Sequence, residues 1–171
     1  MADTDNITGT TLILGVGNII MGDEGFGIHV ARRLKKYGLP PGVRVEEGGV
    51  GGFNLLGSLE GVSRVILIDV MMIDLAPGEV CLFKPGPDFH EPVKNIVSFH
   101  QVGILELVQM WGLLGYEPEI FFLVTRPEKL DWGMELTPTV DAAVAKAAGL
   151  LAEVCHDNFN ALERSVNLCT L

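Results

Sequence analysis

The chain has 171 residues, 48% of them hydrophobic, which fits one globular domain with a substantial core and argues against wholesale disorder. Its formal net charge of -10 and its pI of about 4.7 argue against nucleic-acid binding, because such a surface repels a phosphate backbone. The longest apolar run, Val65 to Ile73, contains Asp69 and is too short to span a bilayer, so no membrane role is expected.

The first half of the chain alternates strand and helix patterns. Thr11 to Gly17 is a short aliphatic run that ends in glycine, which predicts a buried strand. Gly25 to Tyr37 carries apolar residues at helical spacing and predicts an amphipathic helix. Three further segments are predicted as a strand, a short helix and a strand, in that order: Val43 to Glu47, Phe53 to Leu59 and Arg64 to Met71.

The second half continues the alternation. Its first four segments are predicted as a strand, a loop, a helix and a strand: Glu79 to Phe83, Lys84 to Pro92, Gln101 to Gly112 and Glu119 to Thr125. The last helix is predicted over Leu136 to His156. Thr137 is a suitable N-cap for it, and Pro138 suits its first helical position.

Strands that alternate with helices predict a three-layer α/β/α sandwich with a mostly parallel, twisted sheet of about five strands. We expect a flexible N-terminus over residues 1–10, a single α/β domain over residues 11–157, and a C-terminal tail over residues 158–171 that frays. No internal repeat or linker divides the chain, so one domain is expected.

The three cysteines, Cys81, Cys155 and Cys169, are odd in number, widely spaced and in no CxxC pair. This pattern argues against a disulfide framework and against a structural zinc site, and it suits a reducing compartment. The polar, acidic segment Met1 to Thr10 has no features of a signal peptide. We therefore expect a cytoplasmic protein.

Polar residues follow the predicted strands at the edge where open α/β sheets bind their ligands. Asp69 ends a run of aliphatic residues, where an uncompensated carboxylate is costly to bury. Glu24 follows the first strand, and His100 precedes a predicted helix, so all three are expected at the same rim. Two carboxylates and one imidazole there would make a divalent-metal site with open coordination positions.

Each of these residues also has a purely structural interpretation. Asp69 could be a capping or hydrogen-bonded residue. Asp23 and Glu24 could serve the dipole of the following helix, which favours anions at its start. The other histidines are expected to pack or to lie on the surface: His29, His90 and His156.

A nucleotide-binding interpretation rests on Gly15-Val16-Gly17 after the first strand. The third glycine of a GxGxxG motif would fall at position 20, which is Ile20. In addition, Asp23 and Glu24 place negative charge where a pyrophosphate needs a helix N-terminus, so this geometry favours a cation over phosphate.

Five sequence blocks stand in order along about residues 11–150. They are Leu14 to Gly27 (LGVGNIIMGDEGFG), Glu47 to Gly52 (EGGVGG), Ile66 to Asp69 (ILID), Ser98 to Gln101 (SFHQ) and Leu136 to Val140 (LTPTV). Together these blocks resemble the hydrogenase maturation proteases. The resemblance implies an aspartic-type endopeptidase that removes the C-terminal extension of a nickel-iron hydrogenase large-subunit precursor after nickel insertion.

The resemblance also implies the site residues. The metal contacts of the family match Glu24, Asp69 and His100, and the nickel held by the substrate is the expected recognition element, so that the cofactor is supplied by the substrate. Neighbouring positions are expected to contact the substrate: Asn18, Asp23, Gly48, Gly49 and Gln101. The glycine turn departs from the family pattern, because Glu47 and Val50 stand where an Asp and a Thr are usual; Glu47 is the candidate general base.

Two other functions use the same residues. A non-cleaving, nickel-dependent chaperone or binding module for the large subunit would need the same three ligands. An unrelated metallohydrolase is disfavoured because the chain lacks an HExxH motif. We expect a monomer that meets the precursor transiently, with either metal-bound water or a carboxylate-activated water as the attacking group.

Overall fold

The computed structural model describes residues 9–50, 59–85, 108–164 and 167–169. The predicted helix Phe53 to Leu59 and the predicted loop Lys84 to Pro92 fall mostly outside the described residues, as does the start of the helix predicted from Gln101. The strands are β1 (Thr10–Val16), β2 (Val43–Gly49), β3 (Val62–Val70), β4 (Val80–Phe83), β5 (Glu119–Thr125) and β6 (Asn167–Cys169). The helices are α1 (Phe26–Leu34), α2 (described over 108–113), α3 (Pro138–His156) and α4 (Asn160–Arg164).

The strands form one six-stranded sheet in the order β2-β1-β3-β5-β4-β6. β2, β1, β3 and β5 are parallel, whereas β4 and β6 pair antiparallel at one side. The mostly parallel α/β fold is therefore confirmed. The segment expected to fray contains α4 and β6, and β6 extends the predicted five strands to six.

Each face of the sheet buries a separate apolar layer. Ile13, Ile66 and Ile68 point towards α1 and α3, where Phe26, Val30, Val144 and Leu151 complete one cluster. Leu12, Leu14 and Leu67 point to the other face and pack with Trp111 of α2 and with Leu59. Side chains alternate across a strand, so the near-continuous aliphatic runs of β1 and β3 supply both layers at once.

α1 packs unusually close to the sheet because two glycines face each other there. A Cβ on Gly27 would collide with the carbonyl oxygens of Val16 and Ile68, and a Cβ on Gly15 would collide with the carbonyl of Gly27. The absence of side chains at these positions brings the start of α1 down onto the carboxyl ends of β1 and β3.

α3 starts as its sequence predicts. The hydroxyl of Thr137 accepts a hydrogen bond from the backbone N–H of Val140 at 3.4 Å, and Pro138 is the first helical residue. This cap satisfies one of the N–H groups that a helix start leaves unpaired. Among the described residues, no helix is long and apolar enough to cross a membrane.

The amino ends of the strands carry an ion-pair network. The carboxylate of Glu119 accepts hydrogen bonds from Arg64 Nε at 3.2 Å and from Lys84 Nζ at 2.8 Å. The Arg64 guanidinium also lies 4.6 Å from the centre of the Phe159 ring, just before α4. Through Phe159, this network holds the C-terminal segment against the amino ends of β3 and β5, at the opposite edge of the sheet from Asp69.

Candidate active site

The candidate site lies where the direction of strand succession reverses. β1 is flanked by β2 on one side and by β3 on the other, so the loops that leave their carboxyl ends diverge and open a crevice. Open α/β sheets bind ligands at such a switch point. Glu24 follows β1 and Asp69 lies near the end of β3, so both acidic residues border this crevice.

Glu24 is positioned by the backbone that leaves β1. Gly17 has a φ of 143°, and a Cβ at this position would collide with the carbonyl oxygen of Glu24. That same carbonyl accepts a hydrogen bond from Asn18 N at 3.2 Å, and Asn18 Oδ1 accepts one from Ile20 N at 3.1 Å. The chain then makes a 3-10 turn, Gly22–Gly25, that carries Glu24. Glycine permits this path because it tolerates a positive φ and the close approach of another backbone.

Asp69 is a buried carboxylate that the described residues satisfy only on one oxygen. It is fully buried, and its Oδ1 accepts a hydrogen bond from Val70 N at 2.8 Å. Its Oδ2 has no hydrogen-bond partner within the described ranges. Burial raises the pKa of Asp69 well above its usual range, the Val70 N–H opposes this, and the negative charge of Glu24 raises it further.

This arrangement is suited to a cation. A buried oxygen without a donor, close enough to a second carboxylate to feel its charge, gains stability from a positive ligand. Within the part of the chain that the structure describes, no cluster of three or more His, Cys, Asp or Glu residues could hold a metal ion alone. His100 and Gln101 lie outside the described residues, so their predicted roles stay predictions.

Asp23, predicted above as a substrate contact, instead accepts hydrogen bonds from other residues of this chain. It is fully buried, and one of its oxygens accepts hydrogen bonds from Glu128 N and Lys129 N, both at 2.9 Å. The other accepts from Thr137 N at 2.8 Å, and the Thr137 hydroxyl donates at 3.0 Å. Asp23 thereby joins the turn that carries Glu24 to the segment between β5 and α3.

Glu47 stands at the carboxyl end of β2 and is paired with α1. Its carboxylate lies 3.1 Å from Arg32 Nε and 3.3 Å from Lys35 Nζ. Burial would raise the pKa of Glu47, but hydrogen bonds from Lys35 and Arg32 outweigh that effect and leave the pKa lowered. A lowered pKa weakens a carboxylate as a base. Beyond Glu47, Gly49 accepts a hydrogen bond from Gly17 N at 3.1 Å, which brings the glycine turn beside the path of β1.

The cysteines do not provide a nucleophile among the described side chains. Burial raises the pKa of Cys155 to about 11, so its thiol stays protonated at neutral pH. Cys81 is disulfide-bonded, and the expectation of no disulfide is therefore wrong. Cys81 lies in β4, which pairs with β5 and β6. Spacing along the sequence could not reveal its disulfide, because such a bond joins residues that meet only in the folded chain.

Sequence patterns assigned no role to residues 126–135, which have no regular secondary structure and are hydrogen-bonded to Asp23, the residue before Glu24. With Gly22 they enclose a cavity of about 490 Å³, whose lining includes Lys129, Trp132, Met134 and Glu135. The sequence feature that could have pointed to this segment is the acidic pair Asp23-Glu24. Asp23 is fully buried and needs hydrogen-bond donors from elsewhere in the chain, whereas Glu24 is only partly buried.

Comparison with known proteins identifies the family. The model of the hydrogenase maturation protease family matches residues 28–154. The hydrogenase expression/formation protein HupD of Bradyrhizobium diazoefficiens is 35% identical over 148 residues, which are 84% of this chain and 76% of that protein.

Two solved structures share the fold over nearly their whole length. The hydrogenase maturating endopeptidase HybD from E. coli superimposes with a TM-score of 0.75 and 28% identity, covering 94% of this chain and 96% of its own. The [NiFe] hydrogenase maturation protease HybD from Thermococcus kodakarensis gives a TM-score of 0.72 and 32% identity, covering 85% and 99%. The chain therefore belongs to the hydrogenase maturation protease family, and its enzymatic class is that of a peptidase.

Proposed function

We propose that this chain removes the C-terminal extension of a nickel-iron hydrogenase large-subunit precursor, and that it recognises the nickel already bound by that precursor. The observation that carries the metal part is the buried Oδ2 of Asp69, which has no hydrogen-bond partner among the described residues and lies beside the charge of Glu24. A divalent ion brought by the substrate would give the buried Asp69 oxygen a positive partner and would offset the negative charge of Glu24 beside it.

Glu24, Asp69 and His100 are the proposed contacts to the nickel. Carboxylate oxygens and an imidazole nitrogen suit a borderline divalent ion. The placement of Glu24 and Asp69 at the switch point supports this role, because the crevice expected there lies at the carboxyl ends of the strands, where open α/β sheets bind their ligands. Asn18, Gly48 and Gly49 border the same crevice and are the proposed contacts to the precursor backbone, together with Gln101.

Two routes to hydrolysis follow from this arrangement. The nickel polarises the scissile carbonyl or activates a water molecule, or a carboxylate such as Glu47 acts as the base on water. The two ion pairs of Glu47 and its lowered pKa favour the first route. Cytoplasmic location and a monomeric state stay predictions from the sequence.

The proposal is tested by incubating nickel-loaded precursor with the wild-type protein, Asp69→Asn and His100→Ala, followed by intact-mass analysis. The wild type is expected to release a C-terminal fragment. Both variants are expected to lose at least about 100-fold in cleavage rate. Mutation of residues that only orient metal ligands already lowers metal affinity or activity by about 10–100-fold. Asp69→Asn keeps an oxygen for the Val70 N–H and removes a disfavoured charge, so its melting temperature should not fall.

Glu60→Gln is the matched control, because Glu60 is an exposed carboxylate two residues before β3, at the opposite edge of the sheet. Nickel-free precursor should remain uncut by the wild type, and its cleavage would reject nickel as the recognition element. An unchanged mass with the wild type and a nickel-loaded cognate precursor would instead favour the non-cleaving binding module.

A further inference from the structure

Exposed apolar side chains gather at the edge of the sheet that carries the site. Eight large hydrophobic residues are exposed among the described residues, and five of them follow the carboxyl ends of parallel strands. We call these five the apolar rim: Ile20 after β1, Val50 after β2, Met72 after β3, and Trp132 and Met134 after β5. Single exposed hydrophobics are common, whereas several around one crevice mark an interaction surface.

The segment that carries Trp132 is irregular but firmly held. Gly133 N donates to Ile20 O at 2.9 Å, and Gly133 O accepts from Gly22 N at 2.8 Å. Asp23 fastens the same segment at both ends through Glu128, Lys129 and Thr137. The side chains of Trp132 and Met134 are nevertheless 79% and 66% exposed. The backbone is thus fixed while its two largest apolar side chains face solvent.

The cavity beside Trp132 shares one residue, Gly22, with the turn that carries Glu24. Lys129 and Asp131 pair at 2.9 Å on its wall, so their charges balance, and Glu135 adds a negative charge. This lining disfavours phosphate, and it offers the indole of Trp132 and the thioether of Met134 as its apolar contact surface. A volume of about 490 Å³ accommodates large side chains of a partner.

We propose that the apolar rim, with Trp132 as its anchor, docks an apolar segment of the large-subunit precursor next to the peptide that is cut. This inference rests on the proposed endopeptidase function, and it assigns substrate affinity to residues distinct from those that contact the nickel. Tryptophan is enriched among the residues that dominate protein interfaces, because it buries a large area with little loss of conformational freedom.

The test compares Trp132→Ala with Leu113→Ala. Leu113 is 87% exposed and lies in α2, six residues before β5, so it is a similarly exposed apolar side chain near the opposite edge. Cleavage of nickel-loaded precursor is followed by intact mass at several precursor concentrations. We expect Trp132→Ala to raise KM by about tenfold or more with kcat within about twofold, as for an interface anchor. Leu113→Ala and the conservative Trp132→Phe should stay close to wild type, and all variants should keep their melting temperature.

A direct binding measurement separates this inference from the proposed function. The dissociation constant of immobilised precursor is measured for the same three variants, and the loss with Trp132→Ala should match the rise in KM. If the wild type binds the precursor but does not cut it, the endopeptidase proposal fails. The docking surface is then still tested by comparing the dissociation constants of the wild type and Trp132→Ala. Equal affinity of Trp132→Ala and wild type would overturn the inference. A change of oligomeric state in Trp132→Ala would assign the rim to a second copy of the chain instead.

Discussion

Three carboxylates at the carboxyl edge have different partners, and those partners separate their roles. Asp23 is buried with both oxygens occupied by N–H and O–H donors. Asp69 is buried with one oxygen unpartnered among the described residues. Glu47 is paired with two cations at the surface. A buried carboxylate whose oxygens all accept hydrogen bonds stabilises the fold, whereas one with a free acceptor oxygen can still bind a ligand.

Glu47→Gln tests whether Glu47 is the general base. A true base contributes about 10²–10⁴-fold to the rate, but the ion pairs of Glu47 and its lowered pKa lead us to expect a loss of less than about tenfold. Cleavage is measured under single-turnover conditions with saturating enzyme. Glu46→Gln, which changes the adjacent residue of β2, is the control. A loss of a hundredfold confined to Glu47→Gln would restore Glu47 as the catalytic base.

At this scale the sequence predicted which residues border the crevice but not what each one contacts. The positions of Glu24 and Asp69 near strand ends could be predicted, because aliphatic runs in the sequence show where strands end. The role of Asp23 was not, because its partners Glu128 and Thr137 lie 105 and 114 residues further along the chain. Neighbouring acidic residues look alike in sequence until the fold brings a donor to one of them.

Among the elements, α1 determines how closely the turn with Glu24 approaches β3. The closest part of its contact with the sheet runs through backbone atoms of Gly15 and Gly27, with no side chain between them. Backbone carbonyls cannot move aside as the end of a flexible side chain can, so this approach leaves no room for repacking.

Gly27→Ala is expected to destabilise the protein by about 3 kcal/mol, at the upper end of the cost of overpacking. The added methyl group would meet the carbonyls of Val16 and Ile68. Urea unfolding measures the loss. Gly149→Ala, inside α3 with no atom within 4 Å of the added carbon, should instead stabilise by about 0.5–1 kcal/mol, as alanine does in a helix. Similar effects of the two changes would contradict the close-contact explanation.

Most of the described elements were predictable, whereas α4 and β6 were not. The strands β1, β3 and β5 are continuous aliphatic runs, and α3 has both its cap and its first-turn proline, so local signals define them. β6 has three residues, too few to show a period, and it exists as a strand because β4 offers an open edge for pairing.

Over the whole molecule, the two ends of the sheet have different composition. The carboxyl end holds the acidic site and the apolar rim, whereas the amino end holds the network of Glu119, Arg64 and Lys84. The ion-pair network and the proposed recognition surface thus lie at opposite edges, so a change at the amino end is expected to affect unfolding without affecting cleavage.

Glu119→Gln is expected to lower the free energy of unfolding at pH 7 by about 0.5–1 kcal/mol, a small value because the carboxylate is partly exposed and screened. Burial would raise the pKa of Glu119, but hydrogen bonds from Lys84 and Arg64 leave it lowered. On acidification the unfolded chain therefore takes up a proton first. The advantage of the wild type should be present above the ordinary glutamate pKa of about 4.3 and disappear as the pH falls through the lowered folded value.

Urea unfolding between pH 7 and pH 3 measures this difference, with Glu153→Gln on the exposed side of α3 as the control. A difference between wild type and Glu119→Gln that grows on acidification would have the wrong sign and would reject the network as its cause. Cleavage by Glu119→Gln at pH 7 should equal that of the wild type.

The chain has two tryptophans, and they lie in opposite surroundings: Trp111 is 1% exposed in the core, and Trp132 is 79% exposed on the rim. Solvent-facing indoles emit fluorescence at longer wavelength and are reached by soluble quenchers, whereas shielded indoles emit at shorter wavelength. The intrinsic emission of the protein therefore has two components, one that reports on the intact core and one that reports on the rim. Denaturation and surface shielding can thus be told apart in one unlabelled sample.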